Sequence, residues 1–276
     1  MDAYSRAVAQ IELFGLQNGG LVPCGLATGF FYRHNGNVYL ITNWHVVTGI
    51  DPGTLQPVAQ GPQPEVLTFS YKQTVDSNGQ PVPARSTNVV GSFQGRIDLY
   101  EADSAIWYEH SNRQYVDVVA FKVQQSELGE WWNVPVNEVD QSLKLRFAPG
   151  MDCFVLGYPK GMIGPGKTPI WKRGSIASEP DYDWRYMPAF LIDTATRDGM
   201  SGSPVVARHS GILLTGEDGG LADDSVIGTM TKFAGIYSGR IGEDEMGVQL
   251  GLVWKPAVLD DILSENTRGM NPLRNV

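Results

Sequence analysis

The hexapeptide Gly199-Met200-Ser201-Gly202-Ser203-Pro204 places a serine between two glycines in a predicted tight turn. Glycine adopts turn conformations that other residues resist, and it lets another chain come close to the backbone. A serine hydroxyl exposed on such a turn can attack a carbonyl group, and the backbone N–H groups of the turn can stabilise the resulting oxyanion. The motif therefore predicts a nucleophile at Ser201, with an ordinary Gly-Ser turn as the alternative.

A serine is a weak nucleophile unless a base accepts its proton, so the histidines are the next candidates. The chain has four of them, at His34, His45, His110 and His209. Three lie in a turn or among polar residues and are typical of solvated surface side chains. His45 differs because the apolar strand Val38-Tyr39-Leu40-Ile41-Thr42 ends just before it. This context favours His45 as the base, with a packed core histidine as the alternative.

The base needs a carboxylate that orients its imidazole ring. Asp117 directly precedes the apolar strand Val118-Val119-Ala120-Phe121-Lys122-Val123, where a carboxylate can be buried against an imidazole. Asp98, within Ile97-Asp98-Leu99, is a rival candidate for the same role. For Asp117, the alternative is a polar residue that only marks the start of a strand. The sequence therefore predicts Asp117 as the third member of a triad and leaves Asp98 open.

The order and context of these three sites resemble the trypsin-like serine endopeptidases. Ile41 to Val47 is similar to that family's histidine motif, Asp117 to Val123 to its aspartate strand, and Gly199 to Pro204 to its serine motif. The order His, Asp, Ser is typical of this family, whereas subtilisins and α/β-hydrolases order the triad differently. Ala27 to Phe31 resembles the strand before the histidine, and Gly235 to Gly239 resembles the strand that binds the substrate backbone.

This resemblance spans about residues 20–255 and implies an all-β, chymotrypsin-like fold of two six-stranded antiparallel β-barrels with a short C-terminal helix. The 32 glycines, 17 prolines and many short apolar runs are compatible with such a fold. Pro256 to Leu263 predicts the helix because its apolar residues share one face. The predicted division is an N-terminal barrel over 1–125 carrying His45 and Asp117, a linker over 126–148, a C-terminal barrel over 149–255 carrying Ser201, and a helix with a loose tail over 256–276.

The resemblance also implies a role for each site residue. Ser201 attacks the peptide carbonyl and His45 moves the proton, while Asp117 orients the imidazole. The N–H groups of Gly199 and Ser201 form the oxyanion hole. No cofactor or metal ion is implied, and the substrate is a protein or peptide. The implied substrate-binding residues are Ala195, Thr196, Ser238, Gly239, Arg240 and Gly251.

Two interpretations of substrate preference stay open in the sequence. Ala195 stands at the base of the implied primary pocket and carries no charge, so a demand for Lys or Arg is not expected. Arg240, at the implied rim of the pocket, could pair bidentately with an acidic side chain. Alternatively, Arg240 points into solvent and the pocket takes small or medium apolar side chains.

Some departures from the family pattern matter for activation and redox state. Relatives that are activated by proteolysis carry an aspartate just before the nucleophile, but Met200 stands here. The chain is therefore expected to be active without an activating cut, as in bacterial members. In the histidine motif, a small residue usually stands at Asn43 or Trp44. The disulfides of secreted relatives are also missing, and Cys24 and Cys153 are expected to be reduced thiols.

Composition and the start of the chain bear on location and partners. The net charge is -9 and the pI is about 4.9, which disfavours a nucleic-acid-binding surface. Met1 to Arg6 lacks the basic region and apolar run of a signal peptide. No apolar stretch approaches the ~20 residues that span a bilayer. We therefore expect a cytoplasmic protein that does not enter a membrane.

Rival functions have weaker signals. Gly161 to Thr168 fits the phosphate-binding pattern GxxxxGK(S/T), and Ala189 to Asp193 resembles the strand that holds magnesium in such proteins. However, residues 169–176 predict a strand and a turn rather than the helix that phosphate binding needs. A protease fold that binds peptides without cleaving them is the main alternative. Asp223-Asp224 and Glu243-Asp244-Glu245 are expected to be solvated turns, so no metal site is predicted.

Overall fold

An N-terminal sheet and a C-terminal barrel follow each other along the chain, and both are antiparallel. The computed structural model describes residues 1–80, 89–112, 115–123, 134–139, 145–213, 226–241 and 249–274. Most of the predicted linker and both acidic runs lie outside these ranges. No helix in the described ranges is both long enough and apolar enough to cross a membrane.

The N-terminal half begins with a short helix and continues into a seven-stranded sheet. Its elements are α1 (Ala3–Ala7), β1 (Val8–Gln17), β2 (Gly20–His34), β3 (Asn37–Thr42), α2 (Trp44–Thr48), β4 (Pro64–Val75), β5 (Val89–Asp98), β6 (Tyr100–Glu101), β7 (Ser104–Ala105), β8 (Tyr108–Glu109) and β9 (Val119–Val123). The order across the sheet is β5-β4-β1-β2-β3-β9-β8, and β6 pairs with β7 separately. Thr42 pairs with Val119, so the segments that carry His45 and Asp117 meet at one end of the sheet.

The C-terminal half is a closed six-stranded barrel followed by a helix. Its elements are β10 (Asp152–Gly157), β11 (Ile170–Ile176), β12 (Ala189–Asp193), β13 (Pro204–Leu213), β14 (Val226–Ile241), β15 (Leu250–Trp254) and α3 (Ala257–Glu265). The strands close in the order β10-β11-β12-β15-β14-β13. Ser201 lies in the connection between β12 and β13, just before β13 begins.

Two tight hairpins shape the N-terminal sheet. The sequence His34-Asn35-Gly36-Asn37 predicts a hairpin turn between β2 and β3, and its central residues Asn35 and Gly36 have φ values of 46° and 77°. Asn18 and Gly19, between β1 and β2, have φ values of 52° and 80°. Positive φ at both central residues is typical of the type I′ turn, whose twist matches that of the paired strands. These Asn-Gly pairs therefore fix how β1, β2 and β3 lie against one another.

Three groups of buried apolar side chains form the core. One fills the N-terminal sheet and one fills the C-terminal barrel, while the third lies between them and joins Phe30 of β2 to Ile236 of β14. The helix α3 adds four fully or almost fully buried residues to this third group: Val258, Leu259, Ile262 and Leu263. Each such side chain contributes about 1.5–3 kcal/mol on burial, so the shared core holds the two halves together.

The structure confirms the predicted all-β fold and the short C-terminal helix, with some differences in detail. The C-terminal half is a closed six-stranded barrel as predicted, but the N-terminal half is a seven-stranded sheet rather than a second closed barrel. Its edge strands β5 and β8 do not pair with each other in the described residues, and Tyr108–Glu109 adds the seventh strand beside β9. The apolar runs of the sequence do not predict β1. They predict separate strands over 227–229 and 233–237, but residues 226–241 form one long strand. The long strand arises because cross-strand pairing with β13 continues through Met230 and Thr231, which the apolar pattern leaves as a gap.

The C-terminal tail packs against the N-terminal sheet, which corrects the expectation of a loose tail. Glu109 N–H donates to the carbonyl oxygen of Thr267 at 3.0 Å, and Gly269 N–H donates to the carbonyl oxygen of Trp107 at 2.9 Å. We call residues Thr267–Arg274 the C-terminal strap. Its polar composition predicts a solvated chain, but backbone hydrogen bonds to the segment around β8 fix its path.

Candidate active site

His45 lies on a short helix at the end of the N-terminal sheet. The chain enters α2 through Asn43, whose φ and ψ of -87° and 153° are extended. Gly49 ends the helix with a φ of 69°, and its N–H donates to the carbonyl oxygen of His45 at 2.9 Å. Residues with a side chain rarely adopt that φ. The helix therefore has a fixed start and end on either side of His45.

The side chain of Asp117 binds both the ring and the backbone of His45. Its Oδ2 lies 2.7 Å from Nδ1 of His45, and its Oδ1 accepts the backbone N–H of His45 at 2.8 Å. The side chain of Asp117 is 3% exposed and that of His45 is 20% exposed. A buried carboxylate in this position keeps the proton on Nδ1 and leaves Nε2 able to accept another.

Two further side chains hold Asp117 in place. Ser238 Oγ donates to Oδ2 of Asp117 at 2.5 Å, and Asn43 Nδ2 donates to the main-chain oxygen of Asp117 at 2.6 Å. Asp98, the rival carboxylate, lies in β5 with 66% of its side chain exposed and pairs with Arg96. The structure therefore brings Asp117 to the imidazole and leaves Asp98 elsewhere.

The environment of His45 changes its affinity for a proton. Burial lowers the pKa of His45, because a buried imidazolium is poorly solvated. The negative charge of Asp117, its hydrogen bond to the ring and the charge of Asp51 outweigh burial, so the pKa of His45 lies above its ordinary value of 6.5. The neutral imidazole is thus a stronger base than a free histidine, and it predominates only above that raised pKa.

Ser201 lies in a turn with a glycine of positive φ on either side. The φ of Gly199 is 89° and that of Gly202 is 81°. A Cβ at Gly199 would lie 2.5 Å from the carbonyl oxygen of Tyr158, and one at Gly202 would overlap the carbonyl oxygen of Thr28. Both the backbone conformation and the close packing therefore require glycine, as the sequence motif predicts.

Thr28 of β2 ties this turn to the N-terminal sheet. Its N–H donates to the carbonyl oxygen of Ser201 at 2.9 Å, and its hydroxyl donates to that of Gly199 at 2.7 Å. The same hydroxyl accepts the N–H of Tyr158 at 3.1 Å, and Thr42 Oγ1 donates to the carbonyl oxygen of Thr28 at 2.9 Å. Thr28 is fully buried. One residue thus fixes the serine turn against the strand that leads to the histidine.

Ser201 and His45 line one cavity of about 950 Å³ between the two halves. Its walls are β1, β2 and the loop after α2 on one side, and Lys160 with the serine turn on the other. Within the described ranges, the N–H groups of Gly199 and Ser201 have no hydrogen-bond acceptor. Two N–H groups without acceptors beside a candidate nucleophile are suited to stabilising an oxyanion.

The Ser201 hydroxyl makes no hydrogen bond to His45 in the described part of the chain. Both side chains line the same cavity, however. A catalytic hydrogen bond of this kind often tightens only when substrate is bound. The arrangement can therefore support attack by a serine with the help of a base that a buried carboxylate orients.

Cys24 lines the same cavity as Ser201, so its thiol is another candidate nucleophile. Burial raises the pKa of its thiol, and the charge of Glu65 raises it further. The thiolate is the reactive form of cysteine, so this environment makes Cys24 a poor nucleophile. Neither Cys24 nor Cys153 forms a disulfide in the structure.

Two of the implied substrate-binding residues, Thr196 and Gly251, lie against the side chain of Tyr237. The hydroxyl groups of Thr196 and Tyr237 hydrogen-bond to each other, and both residues are buried. A Cβ at Gly251 would lie 2.5 Å from Cε2 of Tyr237, so the ring packs directly on the Gly251 backbone. Ala195 is half-buried, and a side chain at Gly239 would meet open space. The phenol of Tyr237 therefore fills the space between Thr196 and Gly251.

The residues predicted to pair with the substrate, Ser238 to Arg240, lie near the end of β14. One edge of this segment pairs with β15, with a register shift at Ser238. Because β13 pairs with β14 only as far as Ile236, the other edge has no partner strand within the described residues. Such an edge can accept a peptide as an added strand. The side chain of Arg240 lies outside the described structure, so its role in specificity stays a prediction.

The phosphate-binding alternative does not fit the structure. Pro159–Gly161 and Pro165–Lys167 form short 3-10 turns, and the strand β11 follows them. In the described part of the chain, a strand and not a helix follows this loop, whereas phosphate binding would require a helix N-terminus there. Met200, which stands where activated relatives have an aspartate, is 1% exposed in the barrel core. Among the residues that the structure describes, no three His, Cys, Asp or Glu side chains group as a metal site.

Sequence reasoning missed Thr28 and Tyr237 as parts of the site. Both stand in stretches that resemble family strands, but their roles depend on distant partners. Thr28 binds Gly199, 171 residues away, and Tyr237 binds Thr196, 41 residues away. A local pattern signals neither contact, because each one exists only after the strands have paired.

A known family model covers most of the chain. Residues 27–214 match the model of the trypsin-like peptidase domain, a span that contains all three candidate triad residues. None of the curated protein sequences matches the chain. Two solved structures are similar: the active form of the Rv3671c protease from M. tuberculosis (16% identity, 97% of this chain and 84% of that chain covered, TM-score 0.47), and a serine-to-alanine mutant of Rv3671c in its inactive form (16% identity, 95% and 87% covered, TM-score 0.46).

Proposed function

The chain belongs to the trypsin-like peptidase family, and from this premise we propose that it is a serine endopeptidase. Ser201 is the nucleophile, His45 is the general base and acid, and Asp117 orients the imidazole. The observation that carries the proposal is the two-point contact between Asp117 and His45, beside a serine turn with two N–H groups that have no acceptor among the described residues. A core histidine or an ordinary turn would require neither feature.

The proposed reaction begins when Ser201 Oγ bonds to the carbonyl carbon and its proton moves to Nε2 of His45. The carbonyl oxygen becomes an oxyanion, which the N–H groups of Gly199 and Ser201 stabilise by about 3 kcal/mol each. The imidazolium then gives its proton to the leaving amine, and an acyl group stays on Ser201. Water repeats the sequence, releases the acyl group as a carboxylic acid and restores the free serine.

The two sides of Ser201 offer different surfaces to a peptide. The free edge of Ser238–Ile241 would bind the residues before the scissile bond as an antiparallel strand. The large cavity lies on the other side, against β1 and β2, and would bind the residues after the scissile bond. Leu26 and Val58 at its wall are 47% and 53% exposed. We propose that apolar residues are preferred on this leaving-group side.

Tyr237 limits the size of the substrate side chain that can bind just before the scissile bond. Its ring fills the space between two of the implied substrate-binding residues, Thr196 and Gly251. A pocket with a phenol inside has room only for a small side chain. We therefore propose a preference for small residues such as alanine at this position, which favours the apolar interpretation over the acidic one.

A fluorophosphonate probe tests the mechanism, because it reacts covalently only with an activated serine. Ser201→Ala should lose labelling and cleavage. Ser203→Ala is the matched control from the same turn: the Ser203 hydroxyl is buried and has no hydrogen-bond partner among the described residues. Removing that hydroxyl should leave labelling at the wild-type rate, and mass spectrometry should locate the label on Ser201.

Two other results would change the proposal. Wild-type protein that binds peptides but stays unlabelled would support the alternative of a peptide-binding protein without turnover. Cleavage by Ser201→Ala at the wild-type rate would refute a serine mechanism altogether.

A further inference from the structure

The residue next to His45 is anchored on a buried carboxylate. Trp44 stands in the part of the histidine motif where a small residue is usual, and its indole N–H donates to Oε2 of Glu109 at 3.2 Å. Trp44 is 2% exposed and Glu109 is 1% exposed. A bulky, buried donor directly before the candidate base therefore depends on an acceptor 65 residues away.

Among the described residues, the Glu109 side chain accepts hydrogen bonds from three separate parts of the chain. Its Oε2 accepts the indole N–H of Trp44, the indole N–H of Trp107 at 2.9 Å and the backbone N–H of Met270 at 3.1 Å. These donors belong to α2, to the residue before β8 and to the C-terminal strap. A buried carboxylate is costly unless such donors satisfy it, so the three segments depend on one another.

The C-terminal strap fits closely around this carboxylate. A Cβ at Gly269 would overlap the indole of Trp107, so only glycine allows the strap to lie there. Asn271 is 3% exposed, and its Nδ2 donates to the hydroxyl of Tyr100 at 2.7 Å. The strap is thus held on both sides of Met270, the residue whose N–H reaches Glu109.

We propose that Glu109, completed by the C-terminal strap, is a positioning residue that fixes Trp44 and, through it, the imidazole of His45. This inference rests on the proposed serine protease function. The helix α2 has only five residues and is too short to be stable alone, so its contacts set its orientation. Asp117 holds one side of His45, and Glu109 holds the residue before it.

The two tryptophans that bind Glu109 provide a matched pair of variants. Trp44→Phe and Trp107→Phe each keep an aromatic ring and remove one indole N–H from the same Oε2. Only Trp44 adjoins His45. Since a misplacement of about 1 Å at a catalytic group can cost about 100-fold, we expect Trp44→Phe to lower kcat by about 10–100-fold with KM changed less than about twofold. Trp107→Phe should lower kcat by less than about threefold.

A second readout follows His45 itself. If the ring loses its fixed place beside Asp117, the pKa of His45 should fall toward its ordinary value of 6.5. An NMR titration of the imidazole should show this fall in Trp44→Phe and not in Trp107→Phe. Urea unfolding of both variants separates the effect from a general loss of stability, which should be similar in the two.

The strap is tested by Gly269→Ala, whose added methyl group would push the strap away from Trp107. We expect kcat to fall as in Trp44→Phe. Gly20→Ala is the control, because a Cβ there meets nothing closer than 3.9 Å. Equal kcat and an unchanged pKa of His45 in both tryptophan variants would overturn the inference.

Failure of the proposed function would look different, because the wild-type protein would then show no fluorophosphonate label on Ser201. If Trp44→Phe does not fold, Glu109→Met replaces it, since methionine has a similar length and removes the oxygen that accepts from Trp44. A kcat in folded Glu109→Met within about twofold of the wild-type value would also overturn the inference.

Discussion

Replacing Asp117 with asparagine tests the proposed triad with almost no change of shape. Oδ2 of Asp117 accepts hydrogen bonds from His45 Nδ1 and Ser238 Oγ, and Oδ1 accepts the backbone N–H of His45. Aspartate thus offers acceptors at both positions, whereas asparagine offers one oxygen and one NH₂ group. In either orientation, the NH₂ group must face a donor that Asp117 now satisfies.

The two orientations of the asparagine have different costs. If its oxygen faces the ring, its NH₂ group opposes the backbone N–H of His45, and the unmet buried donor costs about 1–3 kcal/mol. If its NH₂ group faces the ring, Nδ1 must accept, and the proton of the neutral imidazole moves to Nε2. A protonated Nε2 cannot take the proton of Ser201, so kcat should fall by about 10⁴-fold.

The assay is steady-state cleavage of one peptide that is selected from a library as a substrate. Fluorophosphonate labelling measures the fraction of protein molecules that carry a reactive serine. Asp117→Asn should lower kcat strongly and leave KM within about threefold, because the carboxylate does not touch the substrate. Asp98→Asn is the control, since Asp98 is exposed and paired with Arg96. A folded Asp117→Asn protein that loses less than tenfold in kcat would refute the assigned role, as would an equal loss in Asp98→Asn.

Three further predictions concern specificity, the serine turn and pH. Tyr237→Val should raise kcat/KM for large apolar residues before the scissile bond by at least about tenfold, and peptide profiling that still shows only small residues would contradict the filled pocket. Thr28→Val leaves the carbonyl oxygen of Gly199 and the N–H of Tyr158 without the Thr28 hydroxyl as a partner. Urea unfolding should therefore show a free energy of unfolding lower by about 2–4 kcal/mol, and kcat should also fall. An unchanged unfolding midpoint would refute the role of Thr28 in holding the serine turn. The pKa of His45 is raised in the folded protein, so its stabilising effect is complete below the ordinary value of 6.5 and is lost as the pH rises through the raised value. The wild type should therefore exceed His45→Gln in free energy of unfolding by more at about pH 5.5 than at about pH 9, and the reverse order would contradict the ion pair.

The parts of the site that the sequence predicts are those with a local physical cause. The turn itself requires glycine at positions 199 and 202, so the six residues of the serine motif are enough to predict the turn. His45 follows an apolar strand, and Asp117 precedes one. The choice between Asp117 and Asp98 was open in the sequence because it depends on which strands pair. The pairing of β3 with β9 brings Asp117 to the histidine.

The sequence also predicts those parts of the fold that have a local cause. Asn-Gly turns and apolar runs indicate many short antiparallel strands, and the apolar face of α3 indicates its burial. The strap was not predictable, because its sequence has no apolar periodicity. It is held by backbone hydrogen bonds and by the fit of Gly269 against Trp107, which no pattern within residues 267–274 reveals.

The departure at Trp44 has a physical consequence that reaches the end of the chain. A small residue at this position needs no partner, but a buried indole needs an acceptor for its N–H, and Glu109 supplies it. A buried carboxylate in turn needs more than one donor, and Trp107 and Met270 supply the others. The bulky residue beside His45 therefore requires the carboxylate, and the carboxylate requires the strap. We infer that the strap supports the histidine side of the proposed active site, although it lies more than 60 residues beyond Ser201 in the sequence.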